Sequence, residues 1–346
     1  MSYAKINTNN AVWDDFTVFP ILRAVYFLHD FYDVHDIYID LANPPQEVLD
    51  TYRKSMEPRK RDVLFHWNSD VEDVVEFSAP LFKVLLNDTQ VLEVGIPDIP
   101  NLTDFHVHTK FAYCSENMDV NRAIAIAKQA GVKYINFSEH SGHLYFSPQE
   151  YWPNLYLWNN RNIKEDKTLN YQNFINEYEA KGFCFGSELD VDNQLNVIDI
   201  TNIPGFRVGA IHFLQEGLTF EEKQQEYLKK LDALLQSKID ILAHPFRVFL
   251  KSKLPMPKDI YHEVADKLVK YNVAAEINFH TNKPVPEFID LVLKKGGKIS
   301  FGTDSHNLYE VGYLRPHYDF CKSLGIEGKL DELLLSASSI IKSKIS

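Results

Sequence analysis

Apolar positions along the chain follow two different periods, and the change falls near residue 98. Before it, "FPILRAVYFLHDFYDVHDIYIDL", "PPQEVLDTYRKSMEPRKRDVLFHW" and "DVEDVVEFSAPLFKVLLND" space their apolar residues mostly as amphipathic helices do. Residues 1–98 are therefore expected to form a small, mostly helical accessory region. The segment "VGIPDIPNLTD", with two prolines and a short polar stretch, reads as the boundary. Residues 99–346 then alternate short β-like runs with helical stretches joined by a few residues, the signature of βα units around a parallel sheet or barrel.

The β-like runs are "DFHVHT" from 104, "VKYINFSEH" from 132, "FCFGSELDV" from 183, "FRVGAIHFL" from 206, "IDILAHPF" from 239, "VAAEINFH" from 273 and "KISFGTDSH" from 298. Between them lie helical stretches such as "NRAIAIAKQAG", "FEEKQQEYLKKLDALLQS", "IYHEVADKLVKYN" and "PEFIDLVLKKGG", several closed by glycine or asparagine as a C-cap. Each strand ends in polar, ionisable residues: His106 and His108, Glu139 and His140, Glu188 and Asp190, His212, His244, Glu276 and Asn278, Asp304 and His306. In a parallel barrel all strand C-termini gather at one rim, so these ends meet in space although they are far apart in sequence. His106 and His108, two residues apart on a strand, point to the same face.

Imidazole nitrogens mixed with carboxylate oxygens suit zinc, manganese or iron, and a carboxylate can bridge two such ions, whereas calcium favours oxygen ligands. Taken singly, each residue has an ordinary alternative: a hydrogen-bonded core histidine, a helix N-cap aspartate or a partner in an ion pair. It is the gathering of five histidine-bearing motifs at one rim that points to a metal centre.

Composition narrows the class. With 346 residues, 45% hydrophobic and 13% aromatic, the chain can bury a large core. The formal net charge of −12 works against binding the backbone of long nucleic acid, which requires a basic surface. The three cysteines are odd in number and form no C-x-x-C, which excludes a disulfide framework or zinc ribbon and fits a reducing compartment. "MSYAKINTNNAVWDD" has no apolar segment after a basic start, and no 18-residue apolar run occurs. A soluble, cytoplasmic protein with no membrane partner is expected.

The ordered motifs "DFHVHT", "NFSEHSG", "GSELDV", "GAIHFL", "LAHPF" and "GTDSH" followed by "NLYEVG" resemble the PHP (polymerase and histidinol phosphatase) superfamily, and most closely its histidinol-phosphatase branch, over roughly residues 100 to 325. The resemblance implies an α/β fold, a distorted (β/α)7 TIM-like barrel that holds up to three divalent metal ions (zinc, manganese or iron) at its C-terminal mouth. It implies His106, His108, Glu188 and Asp304 around one ion, Glu188 bridging to a second with His212 and His244, and His140 with His306 at a third. One position departs from the family pattern. Where histidinol phosphatases often carry a further histidine, six residues after the H-x-H, this chain has Cys114. Either its thiolate is a ligand, or it is a small packed residue, with Glu116 or water filling the coordination.

Such ions point to phosphate-ester hydrolysis by metal-activated hydroxide, with Glu188, Asp304 and His106 as the central catalytic residues. Arg247, directly after "HPF", is the first candidate to hold phosphate oxygens, its alternative being a surface ion pair. His143 would contact substrate or donate a proton to the leaving group, its alternative being a solvated loop histidine. His280 would shape the substrate pocket. His29, His35 and His66 have no ligand-like spacing and are expected to be structural or exposed, as are His262 and His317. The loop over 141–170, rich in Tyr, Trp and Asn, either covers a ligand or packs as an Ω-loop. Three functions fit: a phosphomonoesterase acting on a small phosphorylated molecule, a phosphodiesterase or nuclease acting on nucleotides or short oligonucleotides, and a non-catalytic metal-binding module. The region 1–98 would serve in homo-oligomer formation or in covering the active site.

Overall fold

The structure, a computed structural model, describes residues 2–8, 11–57, 61–71, 83–115, 117–145, 166–178, 184–199, 203 and 205–337. The chain divides into two compact units. Met1–Ile99, Val120–Val132 and Asn307–Asp319 form the first, and Pro100–Asp119, Lys133–His306 and Phe320–Ser346 the second.

In the first unit the elements run β1 (Ser2–Ile6), α1 (Asp15–Tyr32), β2 (Val34–Ile39), α2 (Gln46–Met56), β3 (Leu64–Trp67), β4 (Lys83–Leu86) and β5 (Gln90–Glu93). The helical part of the expectation is present as α1 and α2. Beside them stands a five-stranded sheet in the order β3-β2-β1-β4-β5, which the apolar spacing does not separate from the helices. The physical reason is visible around Asp33. Its left-handed backbone, φ 53°, stops α1, and the β-branched residues after it bury Val34, Ile37 and Ile39 by pairing in parallel with β1. The apolar run continues across this break, so helix and strand share one unbroken hydrophobic signal. The stretches "LFHW" and "KVLL" likewise become β3 and β4. Within this unit α3 (Val120–Gln129) is fastened to α1 by Arg122, whose guanidinium donates twice to Asp15, at 2.6 Å each. The stretch 72–82, part of the third expected helix, lies outside the described residues.

The second unit is the closed parallel barrel that the alternation implied. Its seven strands are β6 (Thr103–Val107), β7 (Tyr134–His140), β8 (Cys184–Val191), β10 (Arg207–Ala210), β11 (Ile241–Leu242), β12 (Ala274–Ile277) and β13 (Ile299–Phe301). Neighbours pair in parallel from β10 through β11, β12, β13, β6 and β7 to β8, and β8 pairs back with β10 to close the ring. A short antiparallel strand, β9 (Val197–Ile198), extends β8. The barrel is distorted because β11 holds two residues and β13 three. The remaining helices are α4 (Ser141–Tyr145), α5 (Thr168–Tyr178), α6 (Phe220–Gln236), α7 (Arg247–Lys251), α8 (Tyr261–Tyr271), α9 (Pro286–Lys294), α10 (Arg315–Ser323) and α11 (Leu330–Leu333). Thr219 and Glu222 form a reciprocal capping box on α6, and Asn272 ends α8 in the left-handed region, as its position after the last apolar residue predicted. Most of the aromatic loop, residues 146–165, lies outside the described residues. Among the described residues no helix is long and apolar enough to cross a membrane.

The barrel interior away from the mouth is apolar. Phe105, Phe206, Val208, Ala210, Ile241, Ala243 and Ala274 pack together, with the rings of Phe105 and Phe206 edge to face at 4.8 Å. One buried polar strut crosses this layer. Asn136 donates to the Phe105 carbonyl and accepts from the Phe206 amide, at 3.1 Å each, tying β6 and β7 to the residue just before β10. Phe206→Ala should remove a fully buried ring and leave a cavity, costing about 3–5 kcal/mol. Chemical denaturation should show it as a lower midpoint with an unchanged slope.

Candidate metal centre

The strand ends converge as barrel topology requires, and the convergence has a centre. Glu188, at the end of β8 and fully buried, faces imidazoles with both carboxylate oxygens. Its Oε1 lies 3.6 Å from His106 Nε2, 3.3 Å from His212 Nε2 and 3.1 Å from His244 Nε2. Its Oε2 lies 2.5 Å from His140 Nδ1 and 3.8 Å from His108 Nε2. On the far side of His106 and His108 stands Asp304, with Oδ1 3.6 Å and 3.0 Å from their Nε2 atoms. His306 donates from Nδ1 to the Asp304 carbonyl at 2.7 Å, and its ring lies 4.2 Å from that of His108. Backbone geometry at this rim is unusual: His244 and Asp304 are both held at positive φ, 31° and 55°, a strain that persists where function needs the side chain aimed one way.

A second layer of carboxylates fixes which nitrogen of each ring carries the proton. A carboxylate only accepts, so His106 Nδ1 donates to Glu276 Oε1 at 2.9 Å, which aims its Nε2 at Glu188 and Asp304. That Nε2 is buried and has no hydrogen-bond partner among the described residues. His212 Nδ1 donates to Asp190 Oδ1 at 2.7 Å, and the His244 amide donates to Glu276 Oε2 at 2.7 Å. Glu139 accepts from the Thr109 amide and hydroxyl and from the His140 amide. Below His106, buried Asp104 accepts from the amides of His106 and Thr303; burial pushes its carboxyl up to about 6 against these hydrogen bonds.

The electrostatics of this pocket call for added positive charge. Burial opposes ionisation of Glu188 and Asp304, yet the surrounding cations and rings, His140, His212 and His106 for Glu188, and His106, Arg247 and His280 for Asp304, hold both carboxyls well below their usual range. Burial likewise opposes a proton on His106 and His108, but the carboxylates outweigh it, raising His106 well above its ordinary value and His108 to about 9. Burial holds His140, His244 and His306 below the ordinary value. They are neutral rings with a lone pair to give, the form a metal requires. One donor atom from each of His106, His108 and Asp304 lies within 4.8 Å of the others, and the same holds for His140, Glu188 and His212 and for His108, His140 and His306. Neighbouring donors in a tetrahedral zinc site stand about 3.4 Å apart, so the distances around Glu188 suit bound divalent ions, as do the unpartnered His106 nitrogen and the mixed donor chemistry.

The remaining expected residues fall at the mouth. Arg247, the first residue of α7, is buried rather than part of a surface ion pair. Its guanidinium donates to Asp304 Oδ2 at 2.5 Å, to His244 Nε2 at 2.5 Å and to His212 Nε2 at 3.1 Å, which places the protein's own cation within the ring of ligand lone pairs. His280 accepts from Arg247 through its carbonyl at 3.3 Å and stacks on His306 at 4.9 Å. His143 is fully buried in α4, which overturns the solvated alternative. It accepts from the Tyr113 amide at Nδ1, 2.9 Å, so the neutral ring presents an N–H at Nε2. Cys114 is an exposed residue whose sulfur comes within 4.8 Å of donors on His140 and His143. Desolvation of its thiol, reinforced by Glu139, Asp304 and Glu188, raises the pKa well above the ordinary value, so ligation by thiolate requires a cation's field. Glu116 lies outside the described residues.

The sequence reading recorded Glu276, Glu139 and Asp190 as strand ends but gave them no role. For Glu139 and Asp190, the position one or two residues from a ligand on the same strand was the available signal; Glu276 has no ligand on its own strand. Lys251, at the end of α7, was missed altogether. It is an exposed residue whose amine is desolvated and lies near Arg247, both of which lower its pKa, with Asp304 and Glu188 acting in the other direction.

The PHP domain family matches residues 104–280, just over half of the chain's 346 residues. No curated protein matches the chain at a significant level.

Gly302 joins β13 to this site. A Cβ there would stand 1.9 Å from Glu276 Oε1 and 2.7 Å from His106 Cβ. Gly302→Ala should therefore push Glu276 off His106 and weaken metal binding by about 10- to 100-fold, the usual loss when an outer partner of a ligand is disturbed. Dialysis against graded free zinc followed by elemental analysis measures it. In the same assay Cys114→Ser should lower metal content if the thiolate is a ligand, because a hydroxyl is a far poorer one; unchanged content would assign Cys114 to packing.

Proposed function

Because the chain belongs to the PHP domain family, a superfamily of metal-dependent hydrolases, we propose that it hydrolyses the phosphate monoester of a small molecule, in the manner of the histidinol-phosphatase branch. The observation that carries this reading is the single buried carboxylate of Glu188 set among five imidazoles. His106, His108, Asp304 and Glu188 would hold one divalent ion, Glu188 with His212 and His244 a second, and His140 and His306, together with Cys114, a third. When bound, such ions lower the pKa of water and offset the negative charge of a phosphate ester and its leaving oxygen.

The chain's own groups bind and orient. Arg247 presents a planar fork of donors that suits phosphate oxygens, and Lys251 lies at the other end of the same short helix. Glu276 and Asp190 hold the rings of His106 and His212 in the tautomer that turns Nε2 inward. His143 offers Nε2–H, a donor suited to the oxygen that departs with the alcohol. His280 forms part of the pocket wall. The net charge of −12 favours a small anionic substrate over a long polyanion, because counterion release from a polymer needs a basic surface.

The deciding experiment offers the protein, with added manganese or zinc, a chromogenic phosphomonoester, its diester and histidinol phosphate. Turnover of the monoesters is expected, with the diester slower. Preference for the diester would support a nuclease-like activity instead, and no turnover of any ester with either metal would leave a binding module. Glu188→Ala should lower kcat by several powers of ten with a much smaller change in KM, since its charge acts mainly on the transition state. Arg247→Ala should raise KM with metal content intact.

A further inference from the structure

His29, His35 and Asp62 converge in the first unit, a place where sequence spacing gave no sign of a site. His29 lies in the last turn of α1 and His35 in β2, with the left-handed Asp33 between them. Asp62 stands two residues before β3, whose parallel pairing with β2 sets Asp36 opposite Leu64 and so brings Asp62 alongside. Asp62 Oδ1 is 3.5 Å from His29 Nε2 and 3.2 Å from His35 Nδ1. One donor from each of the three lies within 4.8 Å of the others. These separations bracket the edge of a tetrahedral zinc site, about 3.4 Å.

The other nitrogen of each ring has its own carboxylate. His29 Nδ1 is 3.1 Å from Asp30 Oδ1, and His35 Nε2 is 3.1 Å from Asp33 Oδ1. A carboxylate accepts, so with neutral rings the protons lie on those outer nitrogens, and His29 Nε2 and His35 Nδ1 then both turn a lone pair towards the anionic Asp62. Lone pairs facing an anion repel unless a cation lies between them. This carboxylate–imidazole arrangement is the one that orients histidines on a metal. Among the described residues, the carboxylates Asp30, Asp33 and Asp62 lie at the cluster together with Arg61, which donates to Asp30 Oδ1 at 2.9 Å. The competing arrangement places a second proton on His35, donated from Nδ1 to the Asp62 carbonyl at 3.1 Å. The side chains are 18%, 35% and 82% exposed for His29, His35 and Asp62, so an ion can enter from solvent and complete its coordination with water.

We propose that His29, His35 and Asp62 form a divalent transition-metal site of the zinc class, separate from the barrel centre, that fastens the end of α1, the start of β2 and the approach to β3. It contains three protein ligands and an open position, and it acts as a clip on the first unit. Nothing in it depends on the phosphoesterase activity.

The test uses full-length wild type, His35→Gln and Asp62→Asn, each stripped with chelator and dialysed against graded free zinc, with ions per chain read by elemental analysis. Both variants should bind one ion fewer than wild type at matched free zinc, with phosphoester turnover, where present, and far-ultraviolet circular dichroism unchanged. Asp62→Asn is nearly isosteric at a largely exposed position, so it preserves the fold. In wild type alone, saturating zinc should protect His29 and His35 from acylation by diethyl pyrocarbonate, read by peptide mass. Equal zinc content in all three proteins at every concentration, or acylation of both histidines unaffected by zinc, would overturn the proposal in favour of a protonated His35.

Discussion

A single buried negative charge organises the barrel mouth. Removing a carboxylate from water costs several kcal/mol unless cations and hydrogen bonds compensate, and Glu188 is wholly buried with imidazoles, not ammonium groups, as its nearest neighbours. Imidazoles stabilise an anion only when protonated or when a metal ion stands between ring and carboxylate. The outer carboxylates Glu276 and Asp190 accept the Nδ1 hydrogens of His106 and His212 and so aim Nε2 of each ring at the inner side. The rim therefore aims several imidazole nitrogens and carboxylate oxygens at one place, a donor set suited to divalent ions.

Arg247 shows the same demand from the other side. Its guanidinium is drawn in among Asp304, His212 and His244, although it comes from a helix of five residues at the mouth. A side chain so placed has two partners to choose between, the ligand ring and an incoming anion. The chemistry that the ligand ring invites and the recognition that a phosphate requires thus meet at one residue.

The barrel supplies this geometry through short strands and close backbone approach. β11 and β13 are only two and three residues long, so the chain reaches the rim quickly and turns there under strain, with His244 and Asp304 at positive φ. Gly302 lets Glu276 pass beneath His106, where any side chain would collide. Far from the mouth the layer around Phe105 and Phe206 is apolar apart from Asn136, which bridges the carbonyl of one and the amide of the other, and Ser138, which donates to the same carbonyl. Stability and function are separated along the barrel axis, as parallel topology favours.

Much of this was legible in the chain. The alternation of short β runs and helices fixed a parallel barrel, because period 2 and period 3.6 signals are local and strong. The polar strand ends identified the rim, since parallel strands must end together. Three things were not legible. Residues 19–41 carry one continuous apolar signal, and only the left-handed Asp33 and pairing with a distant β1 divide it into a helix and a strand. The burial of His143 and Arg247 comes with contacts to residues distant in sequence, Tyr113 for the first and Asp304 and His280 for the second, which no local period encodes. His29, His35 and Asp62 had no ligand-like spacing, because the separation that matters there is set by the register of β2 against β3. Local pattern dictates what an element is and which way its residues face; which distant residues become neighbours is settled by strand register and chain reversal, and those depend on the whole packed chain.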